Sequence, residues 1–213
     1  MADDTLIADH MVVQPDLQAR LAALITAAAL PDAPGVPCSF IGPVALPDGT
    51  SRRLFVRHAA DAVLTDPGGH IVLITRVNPP GAGRLAIPGG FLDMVGGACE
   101  DVVAAARREL LEETGIAREI AGGATLLGVG WRRYDRKFDL RVAWSDISDT
   151  DIRQGDIFMV STQPVYLRTN VDLKSVTLRA GDDAGAALVM SIAEIGEATL
   201  GIADQSGMIA EIP

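Results

Sequence analysis

The chain has 213 residues, 48% of them hydrophobic, and a formal net charge of −10. That length can bury one sizeable core but leaves no room for two full catalytic domains, and the negative charge argues against nucleic acid, whose phosphates it would repel. The longest apolar run, Leu21 to Leu30, contains Thr26 and is too short to span a bilayer. No basic segment precedes it, so neither a membrane span nor a secretory signal is expected.

Pro15 to Leu30 has helix-forming composition, with Leu17, Leu21 and Leu24 on one stripe and Asp16 in the first turn. Prolines 31, 34, 37, 43 and 47 then interrupt regular structure. Residues 1–50 therefore read as an N-terminal helix and Pro-rich arm, ahead of one domain over 51–213. His10 stands alone and reads as solvated. Cys38 and Cys99 fit no metal or redox spacing and imply free thiols in a reducing, cytoplasmic compartment.

From Arg53 onward the pattern turns to strands. Leu54 to Arg57, Ala62 to Thr65 and Ile71 to Arg76 are short apolar segments, and Asp66-Pro67-Gly68-Gly69 joins the last two as a hairpin. Arg84 to Pro88 is a short strand feeding the double glycine Gly89-Gly90, where a backbone can approach a ligand closely. Glu100 to Ile116 reads as a helix that buries Val103, Ala106, Leu110 and Thr114 and stops at Gly115. Glu109, Glu112 and Glu113, at offsets of three and four, share its other face. Like charges this close repel, and a divalent cation offsets the repulsion; oxygen ligands at this density suit Mg²⁺ or Mn²⁺. The plainer reading of E-x-x-E-E is a solvated helix face.

Ala124 to Trp131 is a further strand. Arg132 to Asp156 is long, charged and irregular, with Phe138 to Trp144 a candidate strand inside it. Its cluster Arg132, Arg133, Arg136 and Lys137, interleaved with Tyr134 and Phe138, is either a solvated face or a receiver of small-ligand phosphates. Asp156 to Arg168 reads as a strand that Pro164 demotes to an edge or a bulge. Ala186 to Met190 closes the strand list, and Ser191 looks like an N-cap for a helix from Ile192 to Leu200. The tail beyond is weakly patterned. Strands mixed with one long internal helix and one late helix imply an α/β fold, a mixed sheet between helices. The leucine stripe needs a partner surface, either its own domain or, with an edge strand at Val165 to Arg168, a second copy in a homodimer.

The segment from Glu100 through Arg108, Glu109, Glu112 and Glu113 to Gly115 and Ile116, downstream of Gly89-Gly90, resembles the Nudix box, G-x5-E-x7-R-E-U-x-E-E-x-G-U with U a bulky aliphatic. Every specified position from Glu100 to Ile116 matches. The box's first glycine, however, would fall on Met94, and Val95-Gly96-Gly97-Ala98 reads as an insertion. The resemblance implies the Nudix fold, a mixed β-sheet sandwiched between α-helices (α/β/α). It also implies a metal held by Glu109, Glu112 and Glu113, with a Gly89 carbonyl joining them and Glu100 occasionally contributing. Arg57-His58-Ala59-Ala60-Asp61, Asp149-Thr150-Asp151 and Arg179 to Gly185 are similar to segments of the mitochondrial-type ADP-ribose pyrophosphatases. In that branch ADP-ribose is hydrolysed to AMP and ribose 5-phosphate with Mg²⁺.

Glu112, Glu109 and Arg108 are the candidate catalytic residues, with Arg108 pairing with a box carboxylate and orienting it. The general base stays open between Glu112, Glu109, Asp151 and Asp156. Asp151, Asp182 and Arg84 are the candidate substrate contacts. Asp151 is singled out because an acceptor-only carboxylate suits two vicinal hydroxyls; Asp182 and Asp183 also read as turn residues that cap backbone amides. The expected partner is a small nucleoside diphosphate, with neither nucleic acid nor membrane. Alternatives are a Nudix pyrophosphatase for a nucleoside triphosphate or a dinucleotide, and a non-catalytic module that binds ADP-ribose.

Overall fold

The computed structural model describes residues 15–28, 30, 35–46, 49–78, 81–130, 132–133, 141–143, 145–148, 150–181, 184–195, 200–201 and 205–213. His10, Tyr134 to Leu140, Asp149, Asp182 and Asp183 lie outside them, and with them much of the expected strand over Phe138 to Trp144, of which Arg141–Val142 is described as a strand, Arg136 and Lys137 of the basic cluster, and one candidate substrate contact. The chain forms two compact units: residues 1–59, 91–101 and 132–162 in one, and 60–90, 102–131 and 163–213 in the other. No helix among the described residues is long and apolar enough to cross a membrane.

In the first unit, α1 (Pro15–Ala27) precedes β1 (Cys38–Ala45), which pairs antiparallel with the first half of β2 (Ser51–Thr65). Leu21 and Ile25 of α1 are buried with Val44, Leu54, Val56 and Ile157. Of the expected stripe, Leu21 therefore has its partner surface within its own chain. Leu21 is 0% exposed and Leu24 38%. The segments expected as Leu54–Arg57 and Ala62–Thr65 are one continuous strand, because Arg57 to Asp61 keeps extended backbone across the polar residues between them.

The short strands β3 (His70–Arg76), β4 (Leu85–Ala86) and β5 (Gly89–Phe91) lead to a hairpin of β6 (Met94–Val95) and β7 (Ala98–Cys99). Its turn is Gly96-Gly97, both at positive φ, 61° and 87°. The extra box residues thus form a two-residue hairpin turn, a conformation that glycine adopts without a Cβ penalty.

In the second unit, the end of β2 and β3 form the expected hairpin around Asp66-Pro67-Gly68-Gly69, with Thr65 opposite Ile71 and Gly69 at φ 74°. There α2 (Val102–Thr114) is followed by α3 (Arg118–Gly123), to which Arg107 is tied by hydrogen bonds to the carbonyls of Gly122 and Ala124. The buried stripe of α2 is Val102, Ala105, Ala106, Leu110 and Thr114, so Val102 and Ala105 take the place expected for Val103. Beyond it come β8 (Thr125–Val129) and, in the first unit, β9 (Arg132–Arg133) and β10 (Arg141–Val142). The strand β11 (Ile157–Arg168) begins in the first unit and ends in the second.

The expectation of an edge at Val165–Arg168 is corrected: that segment pairs with β8, Val165 opposite Val129 and Arg168 opposite Thr125. Pro164 falls between the residues that pair with β9 (Ser161 and Thr162) and those that pair with β8, at a break in the ladder where a missing N–H is tolerated. Its carbonyl accepts from Gly130 N–H at 2.9 Å. A second correction concerns the late helix. β12 (Ala184–Ser191), paired antiparallel with β3, is followed by a 3₁₀ turn, Ile192–Glu194, that ends at an extended Ile195, and the Ser191 side chain makes no capping bond; residues 196–199 of the expected helix lie outside the described residues. Helix returns at α4 (Gln205–Ala210), inside the tail that carried little pattern. The strand registers above are antiparallel, and a parallel bridge joins Leu85 to Leu200.

Candidate active site: the double-glycine turn and the α2 glutamates

The turn at Gly89-Gly90 comes close to α2 because it carries no side chains there. A Cβ on Gly90 would lie 2.2 Å from Glu109 Oε1, and one on Gly89 would lie 2.2 Å from Asp61 Oδ1. At Gly89 glycine is a steric requirement, since a Cβ would also lie 2.6 Å from the Ala60 carbonyl oxygen, whereas at Gly90 the Glu109 carboxylate would have to give way. Gly89 N–H donates to Glu113 Oε2 at 2.9 Å. Glu109 and Glu113, four residues apart on α2, thus both reach the turn.

The electrostatics follow from burial. Glu113 is pushed up to about 8 by desolvation, with the charges of Glu109 and Asp61 adding to the rise and the Gly89 N–H opposing it. Asp61 is pushed up to about 7, again by burial first, although a hydrogen bond from Gln205 Nε2 at 3.0 Å holds it down. Three acids in so little water create a field that a hard divalent cation relieves. That crowding, and the turn backbone pressed against it, is the observation by which the donor set fits such an ion.

Glu112 differs. Its side chain is 57% exposed and pairs with Arg108 Nη1 at 3.0 Å, the same nitrogen that donates to Glu109 Oε1 at 2.7 Å. Arg108 therefore ties two box carboxylates together along one helix face. Among the described residues, the His/Cys/Asp/Glu group whose ligand atoms lie within 4.8 Å of one another is elsewhere, at Asp66, His70 and Asp172. There the oxygens are already engaged: Asp66 accepts from His70 N–H, His70 Nδ1 and Leu173 N–H, and Asp172 from Lys174 N–H. That cluster ties the hairpin turn to the 3₁₀ turn Leu173–Ser175.

The other expected residues fall as follows. Glu100 belongs to the first unit, and its backbone N–H donates to Asp93 O at 2.8 Å. Arg84 is exposed in the turn before β4. Asp151, also in the first unit, lines a cleft of about 440 Å³ with Phe40, Arg53, Phe55 and Arg153. Arg53 stands 5.0 Å over the Phe55 ring and is bound through both its Nε and Nη2 to Asp156. Two residues escaped the sequence reading: Asp61, seen only as part of a string, and Gln205.

A family model described as NUDIX domain matches residues 56–205. The chain belongs to the Nudix family. Its α/β architecture, with a mixed sheet and few helices, is the Nudix fold, and α2 lies within the matched residues. Among solved structures it is similar to a bifunctional NMN adenylyltransferase/ADP ribose pyrophosphatase from Francisella tularensis, complexed with AMP and a Mn ion, at 23% identity and a TM-score of 0.49. That match covers 72% of this chain and 39% of the other, so this Nudix chain spans about two fifths of that protein's length. The NUDIX domain of Shewanella oneidensis NrtR, complexed with ADP ribose, is 15% identical over 78% of this chain and 89% of its own, with a TM-score of 0.47. A MutT NUDIX hydrolase from Burkholderia pseudomallei is 21% identical over 74% and 98%, with a TM-score of 0.42. No curated protein matches the sequence.

Proposed function

We propose that this Nudix protein hydrolyses the pyrophosphate bond of a nucleoside diphosphate derivative with Mg²⁺ or Mn²⁺, and that its substrate is ADP-ribose, cleaved to AMP and ribose 5-phosphate as in the mitochondrial-type branch. The observation that carries the reading is the pair of half-buried box carboxylates on the double-glycine turn, Glu113 on Gly89 N–H and Glu109 against Gly90. A helix whose acids served only solubility would not turn two of them against backbone.

In this reading Glu109, Glu113 and Glu112 hold the cation, with the Gly89 carbonyl beside them and Glu100 as an accessory. When bound, the metal neutralises the diphosphate and acidifies the attacking water. Arg108 keeps Glu109 and Glu112 in register along one face of α2. The base is Glu112, since its carboxylate is the solvent-facing one of the three. Asp151 is the proposed acceptor for substrate hydroxyls, and the first unit's cleft that it lines carries two arginines, which suit an anionic group. Arg84 is a further proposed substrate contact, as is Asp182, which lies outside the described residues.

The test is a substrate panel with Mg²⁺, in which ADP-ribose, a nucleoside triphosphate and a dinucleotide are compared by chromatography of the products. AMP and ribose 5-phosphate in equal amounts, abolished by EDTA, support the proposal. Glu113→Gln should lower kcat by at least about a hundredfold, the scale of losing a preorganised charge at the reacting centre. Turnover that survives chelation sinks the metal reading, and preference for a triphosphate or dinucleotide sinks the ADP-ribose assignment.

A further inference from the structure

Gln205 lies in a stretch whose sequence carries little pattern, yet its side chain is 1% exposed and makes two hydrogen bonds of 3.0 Å. Its Oε1 accepts from Ile87 N–H, and its Nε2 donates to Asp61 Oδ2. The two contacts sit on either side of the double-glycine turn: Ile87 leads into it along the chain, and Asp61 packs against Gly89. Between them Ala62 N–H donates to Pro88 O at 2.8 Å. Every residue from Ile87 to Gly89 is therefore held by a hydrogen bond, the last of them by Gly89 N–H to Glu113.

The helix that carries Gln205 does not depend on it for its own anchorage. Met208 is buried among Val63, Ile71, Leu73 and Tyr166, and Tyr166 Oη donates to Met208 O at 3.2 Å. An amide is the side chain that this place demands, because one end must accept from a backbone N–H while the other donates to a carboxylate. An apolar residue of similar size would fill the volume and supply neither.

We propose that Gln205 is a positioning residue for the metal centre: it sets the height of the Ile87–Gly90 turn, and through Gly89 the position of the Glu113 carboxylate, without touching metal or substrate. This rests on the reading of Glu109, Glu112 and Glu113 as the metal ligands, and it assigns to the end of the domain a part in a site formed by its middle. Residues that orient metal ligands from behind typically change metal affinity by about 10–100-fold when replaced.

The experiment compares wild type, Gln205→Leu and Met208→Ala, with Mn²⁺ affinity read directly by electron paramagnetic resonance and Tm read without metal. Q205L should bind Mn²⁺ about tenfold more weakly and lose kcat, with KM for the nucleotide unchanged. M208A, which loosens the same helix by removing packing, should lower Tm while leaving Mn²⁺ affinity at the wild-type value. Mn²⁺ affinity unchanged in Q205L overturns the proposal, as does an equal loss in M208A. Should Q205L not fold, Gln205→Glu keeps an acceptor for Ile87 N–H and puts a carboxyl opposite Asp61; a folded Q205E with wild-type Mn²⁺ affinity likewise overturns it. Failure of the underlying reading looks different, since wild type itself would then bind no Mn²⁺.

Discussion

Asp61 and His58 stand three residues apart in β2, and burial moves both away from charge. For Asp61 the carboxyl is pushed up; for His58, 1% exposed with Nε2 at 2.8 Å from Ser39 Oγ, burial pushes the imidazole down to about 4. The histidine makes a pH prediction with a definite sign. In the unfolded chain it titrates near 6.5 and in the folded chain near 4, so between those values only the unfolded state takes up the proton. Its contribution to stability is complete above pH 6.5 and is lost as pH falls towards 4. A shift of that size corresponds to about 3 kcal/mol. His58→Gln, which can still reach Ser39 and cannot titrate, should lose less stability than wild type across this window, by up to that amount. Urea midpoints from pH 7 to 4 check it, and parallel curves for the two proteins would show that the ring is not held neutral.

At the scale of elements, α2 is the part that the sequence announces most fully and the part most dependent on a distant loop. Its C-terminal carbonyls need partners, and the Arg179–Gly185 segment provides them: Arg179 N–H donates to Thr114 O at 2.7 Å and Gly181 N–H to Glu113 O at 3.0 Å. A Cβ on Gly181 would lie 1.9 Å from Glu112 O, which is backbone and cannot swing aside. Gly181→Ala should therefore push the loop off the helix end. We expect a loss of about 3 kcal/mol, the range for a forced backbone clash, or on the order of 10 °C in Tm for a chain of this size. Gly122→Ala is the control, since a Cβ at that position would meet nothing within 4 Å. Equal melting of the two variants would mean that the contact is easily relaxed. The box helix, its stop at Gly115 and the Asp66–Gly69 hairpin were legible because periodicity and turn chemistry are local. The same logic misled at Ser191, where a capping residue type precedes a 3₁₀ turn that ends at an extended Ile195, and at Val165–Arg168, where Pro164 suggested an edge although β9 and β8 succeed one another along β11.

For the molecule as a whole, what the sequence hid is long-range. Gln205 and Asp61 are 144 residues apart, and no pattern in either neighbourhood announces that one completes the other. The leucine stripe of α1 shows a need for burial but not where it is met; Leu21 is covered within the chain, so that residue lends no weight to a homodimer. Net charge, in contrast, is a whole-chain property readable at once, and it makes the last prediction. A diphosphate approaching a chain of charge −10 meets a repulsive field that reaches about 30 Å at 0.01 M salt and about 10 Å at 0.1 M. Salt should therefore help. With Mg²⁺ held saturating, kcat/KM for ADP-ribose should rise several-fold, as an order of magnitude for diffusional encounter, between about 0.01 and 0.15 M KCl, while kcat stays level because the bound substrate no longer crosses the field. A fall in kcat/KM over the same range would mean that local positive potential governs encounter. The guanidiniums of Arg53 and Arg153 in the Asp151 cleft would then be the first to neutralise, by Arg153→Gln, to see whether the salt dependence reverses.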